Sequence, residues 1–366
     1  MMENEIDFPA ILKGEIELGK YPMERLRHVD KPTIKITDHI ERYDERNHAI
    51  AKDHRGELGP TEGLLKQGKD QIGQSLMSRF FTFPQADDDI YDKRDICEDP
   101  TVLSRHIKSL GYFLKADIMS VSQLPQWAVY SHDMDGEPHD VTDTHAICVT
   151  VDQGYRTMEA SRGDDWISFS QSHVAYTTAA WISFIIADYI RRLGFHARVN
   201  HALNYQVVVT PLLVLSGVGE MCRAGVALNP FLGFRFKTAV VTTDMPLEPD
   251  KPIDFGLQRF CSTCKKCARE CPSRSISFGD KVMQNGYETW EFKHDTCGKY
   301  RIGNKKGSMC GRCIKVCPWN KPEGLSHDLV RWVVRHAPAL DGAIAKMDDV
   351  WGYGKTESRK KWWFDV

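Results

Sequence analysis

The sequence carries no excess of positive charge: 48 Lys and Arg stand against 50 Asp and Glu in 366 residues, a formal net charge of −2. The basic footprint expected of a nucleic-acid binder is therefore missing. Long hydrophobic runs are missing too. The longest, near Val207 to Val218, is too short to cross a bilayer and is broken by Pro211. No G-x-G-x-x-G follows a strand-like segment, which leaves a dinucleotide-binding turn unsupported. No nucleophile-elbow pattern points to a Ser–His hydrolase. The opening stretch, MMENEIDFPAILKGEIELGK, has neither an apolar signal core nor a twin-arginine pair, which reads as a cytoplasmic chain without a membrane segment. Scattered cysteine is scarce: of eleven, only Cys97, Cys148 and Cys222 lie outside a single stretch. These three read as small buried hydrophobes.

That stretch organises the chain. CSTCKKCARECP begins at Cys261 and spells C-x2-C-x2-C-x3-C-P; Cys297 follows, and then CGRCIKVCP from Cys310. The first block has the spacing of bacterial two-cluster ferredoxins, whose fourth cysteine serves the other cluster. Eight thiolates make two four-cysteine sets, enough for two [4Fe–4S] clusters. By the crossover rule Cys261, Cys264, Cys267 and Cys317 hold one, and Cys271, Cys297, Cys310 and Cys313 hold the other. Pro272 and Pro318 end each tight turn just after its last ligand. Paired C-x2-C also suits structural zinc, but zinc does not need three cysteines at spacings of three followed by C-P.

Elsewhere the chain divides by pattern. Residues 1–100 are polar and weakly periodic, which predicts an arm or small addition packed on the core. Asp87, Asp88 and Asp89 read as a solvated turn, and His39, His48 and His54 as surface residues. From 101 to 250, TVLSRHIKSLGYFLK and HVAYTTAAWISFIIADYIRRLGF read as helices, the second ending at Gly194. ADIMSVSQL, AICVTVD, HARV and KTAVVTTDMPL read as strands, the second and last buried. This alternation predicts a layered α+β or α/β core. Glycines in SGVGE and FLGFR read as loop positions where the backbone meets something bulky. Residues 251–325 form the cysteine module. Residues 326–366 read as a helix near LVRWVVRHAPAL and a tail whose Trp351, Tyr353, Trp362, Trp363 and Phe364 dock the terminus or cap a large cavity.

YIRRLGFHARV, GVGEMCRAGV, VVTTDMPL and the cysteine blocks ending CPWN, in that order, resemble the corrinoid iron–sulfur reductive dehalogenases, from about Thr101 onward. The resemblance is to the cytoplasmic, catabolic branch and extends to epoxyqueuosine reductase. It implies a base-off cobalamin in a nitroreductase-like core, fed by an inserted two-[4Fe–4S] ferredoxin module. It also implies an organohalide substrate, aromatic or oxyanion-bearing, and an external ferredoxin or flavodoxin as electron donor. By the same resemblance Tyr176 donates the proton, Lys237 assists it and Arg301 binds the substrate, while corrin contacts fall at Gly217, Gly219, Asn229, Thr242 and Met245. A phenol near pKa 10 keeps its proton at neutral pH, and an adjacent ammonium stabilises the phenolate left behind. Arg301, four residues after Cys297, offers a planar fork to an oxyanion. Ser172 precedes Tyr176 by four residues and shares its helical face, whereas His173 points elsewhere and is not counted. Ordinary roles stand beside these: a core tyrosine, a strand-end lysine, a helix-capping serine, an arginine offsetting cluster charge.

Two other functions fit the cysteine blocks. An epoxyqueuosine reductase would act on transfer RNA, against the near-neutral charge, and its acid is an aspartate where this helix offers Tyr176. A non-catalytic electron-transfer subunit has no use for some 150 residues of preceding α/β structure.

Overall fold

The computed structural model describes residues 18–63, 71–80, 89–202 and 204–357; Trp362, Trp363, Phe364, Asp87 and Asp88 lie outside them. In chain order the strands are β1 (Ile118–Gln123), β2 (His145–Asp152), β3 (Ala197–Asn200), β4 (Glu220–Met221), β5 (Ala227–Leu228), β6 (Phe236–Thr243), β7 (Ile276–Gln284) and β8 (Tyr287–Phe292). The first sheet has the order β1-β2-β6-β3, and every pairing in it is antiparallel. Of the two layerings the sequence predicts, the structure is the α+β one.

Runs such as AICVTVD are apolar throughout because both sheet faces are covered. Successive side chains leave a strand on opposite sides, and the pleat splits each run in two. Met119, Val121, Ile147, Val149, Ala239 and Val241 enter one core with Ala175, Ala179, Ile182 and Ile186 of the long helix Ile167–Arg192. Ile118, Ala146, Cys148 and Val240 enter the other, beneath the helix Val209–Leu215. That second core continues into the cysteine module through Leu257, Phe260, Cys317 and Trp319. Each buried Ile or Val contributes about 1.5–3 kcal/mol, so this two-sided burial fixes the register against a one-residue slip. The helix Pro100–Phe113 packs beside the long helix. Asp99 caps its first turn, accepting from the amides of Thr101 and Val102.

The N-terminal segment joins core and module. His28 bridges to Ile253, and Ile36 to Tyr287. Arg42 donates to the carbonyls of Val129, Tyr130 and His139. The helix Ala49–His54 then docks on the helix His294–Ile302, where Lys52 pairs with Asp295 at 2.8 Å. Gly298 permits this docking: a Cβ there would lie 2.4 Å from the Cβ of Ala49.

Within the module the cysteine blocks are separated by the β7–β8 hairpin. Asn285 and Gly286 both have positive φ at its tip, the conformation a tight hairpin turn requires. Among the described residues no helix is long and apolar enough to cross a membrane.

Candidate active site

Lys237 is the second residue of β6 and has the parity of Ala239 and Val241, so it leaves the sheet on the face covered by the long helix. On that helix Tyr176 follows Ala175, which is packed in the same core. The two meet: Lys237 Nζ stands 5.1 Å from the centroid of the Tyr176 ring. A cation over an aromatic face contributes about 0.5–2 kcal/mol, and it holds an ammonium at the Tyr176 ring.

His173, set aside in the sequence reading, belongs with them. Its ring lies 6.1 Å from Tyr176, edge to face, and 3.7 Å from Phe169. Burial, with the charges of Lys237 and Arg301, lowers its pKa to about 4, so the ring is neutral at physiological pH. Arg301 thus reaches the same neighbourhood from the other half of the molecule. It is exposed, one turn after Cys297, and its charge also acts on the thiols of Cys297 and Cys310.

His48 was also read as an ordinary surface residue. It begins the docked helix Ala49–His54, and its Nδ1 accepts from the Ile50 amide. It is exposed, as a surface position should be, yet the protein packed around the ring, reinforced by Arg301 and His294, lowers its pKa to about 4. Its position depends on a contact between residues about 250 apart in the chain, which no local pattern announces. Tyr205 is a further neighbour of Tyr176, but its hydroxyl donates to the Thr238 carbonyl at 2.7 Å.

Ser172 does not cap the helix, which begins at Ile167 after Trp166. Its hydroxyl donates to the Ser168 carbonyl at 2.8 Å and accepts from Gln153 Nε2 at 2.6 Å. Its proton is therefore committed to the helix backbone. The five residues expected at the corrin have internal contacts. Asn229 is fully buried, donating to the Val218 carbonyl and accepting from the amides of Phe231 and Leu232. Thr242 takes a long contact from Asn200, and Met245 is buried in the long-helix core. A Cβ at Gly217 or Gly219 would collide with the carbonyl of Lys251 or Leu228, so close approach to the chain's own backbone requires glycine at both.

The thiols fall into two neighbourhoods. Cys317 is within electrostatic reach of Cys264 and Cys267, and Cys261 of Cys267 and Cys317. Cys297 is within reach of Cys271, and Cys313 of Cys310 and Cys297, with Cys267 of the first set also in its reach. Among the described residues no three ligating side chains converge on one point as a single ion requires; a larger inorganic group spreads its ligands. Burial pushes the thiols of Cys261, Cys264, Cys267, Cys297, Cys310, Cys313 and Cys317 up, Cys310 to about 11, which leaves them protonated until a bound cation reverses the balance.

Arg235 clamps the two halves together. Its guanidinium takes Asp152 in a fork (2.7 and 3.1 Å) and donates to Asn320 at 2.5 Å. Gly233 packs closely against the next segment: a Cβ there would lie 3.1 Å from the backbone of Trp319 and Asn320. The segment after the last thiol is thereby fixed beside the strand that carries Lys237.

Residues 260–321 match the 4Fe-4S dicluster domain. The chain is 28% identical over 304 residues to the tetrachloroethene reductive dehalogenase of Sulfurospirillum multivorans, covering 72% of this chain and 60% of that one. A solved catabolic reductive dehalogenase, NpRdhA, in complex with 3-bromo-4-hydroxybenzoic acid, superposes with a TM-score of 0.87 at 39% identity. That match covers 96% of this chain and 53% of the other. An epoxyqueuosine reductase of Atelocyanobacterium thalassa is 32% identical over 111 residues, 29% of this chain and 35% of that one. The chain thus spans little more than half the length of the dehalogenases it matches.

Proposed function

We propose that this chain, a homologue of the reductive dehalogenases in sequence and fold, is itself a cytoplasmic reductive dehalogenase that replaces a halogen of an organohalide by hydrogen. The balance is R–X plus two electrons and one proton giving R–H and X−. Two four-iron clusters, on the thiol sets given above, and a cobalamin supply the electron chemistry when bound; an external ferredoxin or flavodoxin supplies the electrons.

The residues fit such a cofactor. Buried polar atoms without a partner occur at Gln153 Oε1, Thr177 Oγ1 and Trp319 Nε1, beside the Arg235 clamp and Tyr176. Unsatisfied buried groups call for a partner, and a corrin ring edged with amides offers both donors and acceptors. These three atoms would hold it from the nitroreductase-like core and from the segment after Cys317. The sequence has no D-x-H-x-x-G loop to offer a histidine to cobalt, in keeping with a base-off corrinoid without a protein ligand.

In this reading Tyr176 gives its phenolic proton to the carbon that loses halide. The Lys237 ammonium, 5.1 Å from the ring centroid, stabilises the phenolate that remains. Arg301 draws a carboxylate or phenolate of the substrate toward the pair, and neutral His173 lines the approach without adding a competing charge. An aromatic oxyanion is the substrate class that suits an arginine fork beside aromatic rings, and the NpRdhA complex holds such a molecule.

The observation that carries the proposal is the stacking of Lys237 over Tyr176 beside a module bearing eight cysteines. Tyr176→Phe tests it. Loss of a positioned general acid lowers turnover about 10²- to 10⁴-fold, with iron, sulfide and corrinoid content unchanged. Undiminished halide release by the variant removes Tyr176 from its role.

A further inference from the structure

Arg223 lies in the turn between β4 and β5 and is 1% exposed. Its guanidinium donates to the carbonyls of Cys261 (3.0 Å), Ser262 (3.4 Å), Ser277 (2.8 Å) and Gly279 (3.0 Å). The same group lies 4.8 Å from the centroid of the buried Trp290 ring. All these partners are neutral. Nearby cations have carboxylates: Lys266 has Asp348 and Asp349, Arg259 has Asp341, and Arg235 has Asp152. Among the described residues Arg223 forms no ion pair, and the acidic groups that act on it are the thiols of Cys267, Cys261 and Cys264, which carry negative charge once they bind iron, and Asp280. A guanidinium held out of water at a fixed place is costly unless a negative charge stands opposite. A four-thiolate iron–sulfur cluster is such a charge, and it grows by one unit when the cluster takes an electron.

We propose that Arg223 is the fixed counter-charge of the cluster held by Cys261, Cys264, Cys267 and Cys317, favouring its reduced form and setting its potential above the value the same ligands would give without the cation. Arg223 is a positioning residue; it acts through the cluster and touches no substrate. Net charge and hydrogen bonding around the sulfurs are the levers that set such potentials. The inference rests on the cluster reading above. Its redox step is the gain of one electron from a one-electron donor, with no proton transferred.

The test is a redox titration of the reconstituted 366-residue chain with dithionite, followed by electron paramagnetic resonance, for wild type, Arg223→Gln and Arg223→Lys. In Arg223→Gln one of the two one-electron steps shifts downward about tenfold in its reduction equilibrium, which is about 59 mV, and the other stays in place. Arg223→Lys keeps the charge and titrates as wild type. If the glutamine variant fails to hold that cluster, a lysine variant that holds it with the wild-type step supports the proposal. Equal midpoints in all three proteins overturn it, as does a lysine variant that shifts as far as the glutamine one or loses the cluster. Wild-type protein with no iron–sulfur signal defeats the cluster reading instead.

Discussion

The sheet half and the cysteine half of this molecule are held together by different physics. In the first, the fully buried groups include Ile147, Val149, Val241, Ile182 and Ile186, apolar side chains pack on both sides of the sheet, and the polar groups buried among them, such as Thr150, Asn200 and Thr242, are mostly uncharged. In the second, the buried set includes Lys266 and Lys315, with Arg223 reaching in from the core and Asp348 from the helix Asp341–Val350. Lys266 and Lys321 share Asp348 at 2.5 Å each, and Lys315 donates to the carbonyls of Met158 and Glu159. The lesson is one of dependence. Apolar burial stabilises the sheet half by itself, while a module rich in buried thiols and cations waits on its inorganic groups for counter-charge and cross-linking.

The sharpest way to break the comparison is to remove those groups. Anaerobic chelation of iron should unfold the region around 256–321 and leave the sheet protected, as read by amide hydrogen exchange. Uniform loss of protection would mean that the two halves share one source of stability. A smaller effect separates the halves by mutation. Asp348→Asn strips Lys266 and Lys321 of a shared carboxylate and should cost about 3–5 kcal/mol together with iron content. Ile147→Ala should cost about 2–5 kcal/mol with iron content unchanged. Urea titration with iron analysis checks both, and iron loss in Ile147→Ala alone would reverse the assignment.

The smallest effect is one of pH. His48 and His173 are lowered from 6.5 to about 4 in the folded chain. Between these values the unfolded chain binds protons that the folded one does not, so stability falls as pH drops from about 6.5 toward 4. His173→Phe should flatten that slope, measured as the urea midpoint at pH 7 and pH 5. An unchanged slope would mean that the ring takes up its proton freely in the folded state.

Much of this was legible residue by residue. β2 and β6 announced themselves by unbroken apolar runs, the long helix by its length and the glycine after it, and the cysteine module by spacing alone. Tyr176 and Lys237 were named through a resemblance; their meeting also follows from strand parity and a helix face. The hairpin β7–β8 carried a readable signal, Asn285-Gly286 between strand-like residues, which the cysteines around it overshadowed. His48 and Arg223 were not readable. One depends on a helix from the N-terminal arm docking at Gly298, the other on a turn of the core reaching carbonyls in two separate parts of the module. The glycines of SGVGE mark close approach, and sequence does not say which of the chain's own groups, here the carbonyls of Lys251 and Leu228, stands opposite.

The most direct measurement is anaerobic reconstitution with iron, sulfide and cobalamin, followed by spectroscopy, metal analysis and halide release from brominated hydroxybenzoates supplied with reduced ferredoxin. The account predicts about eight irons per chain, bound corrinoid, and bromide released in step with dehalogenated product. A folded protein that retains zinc, takes up no corrinoid and releases no halide would contradict it.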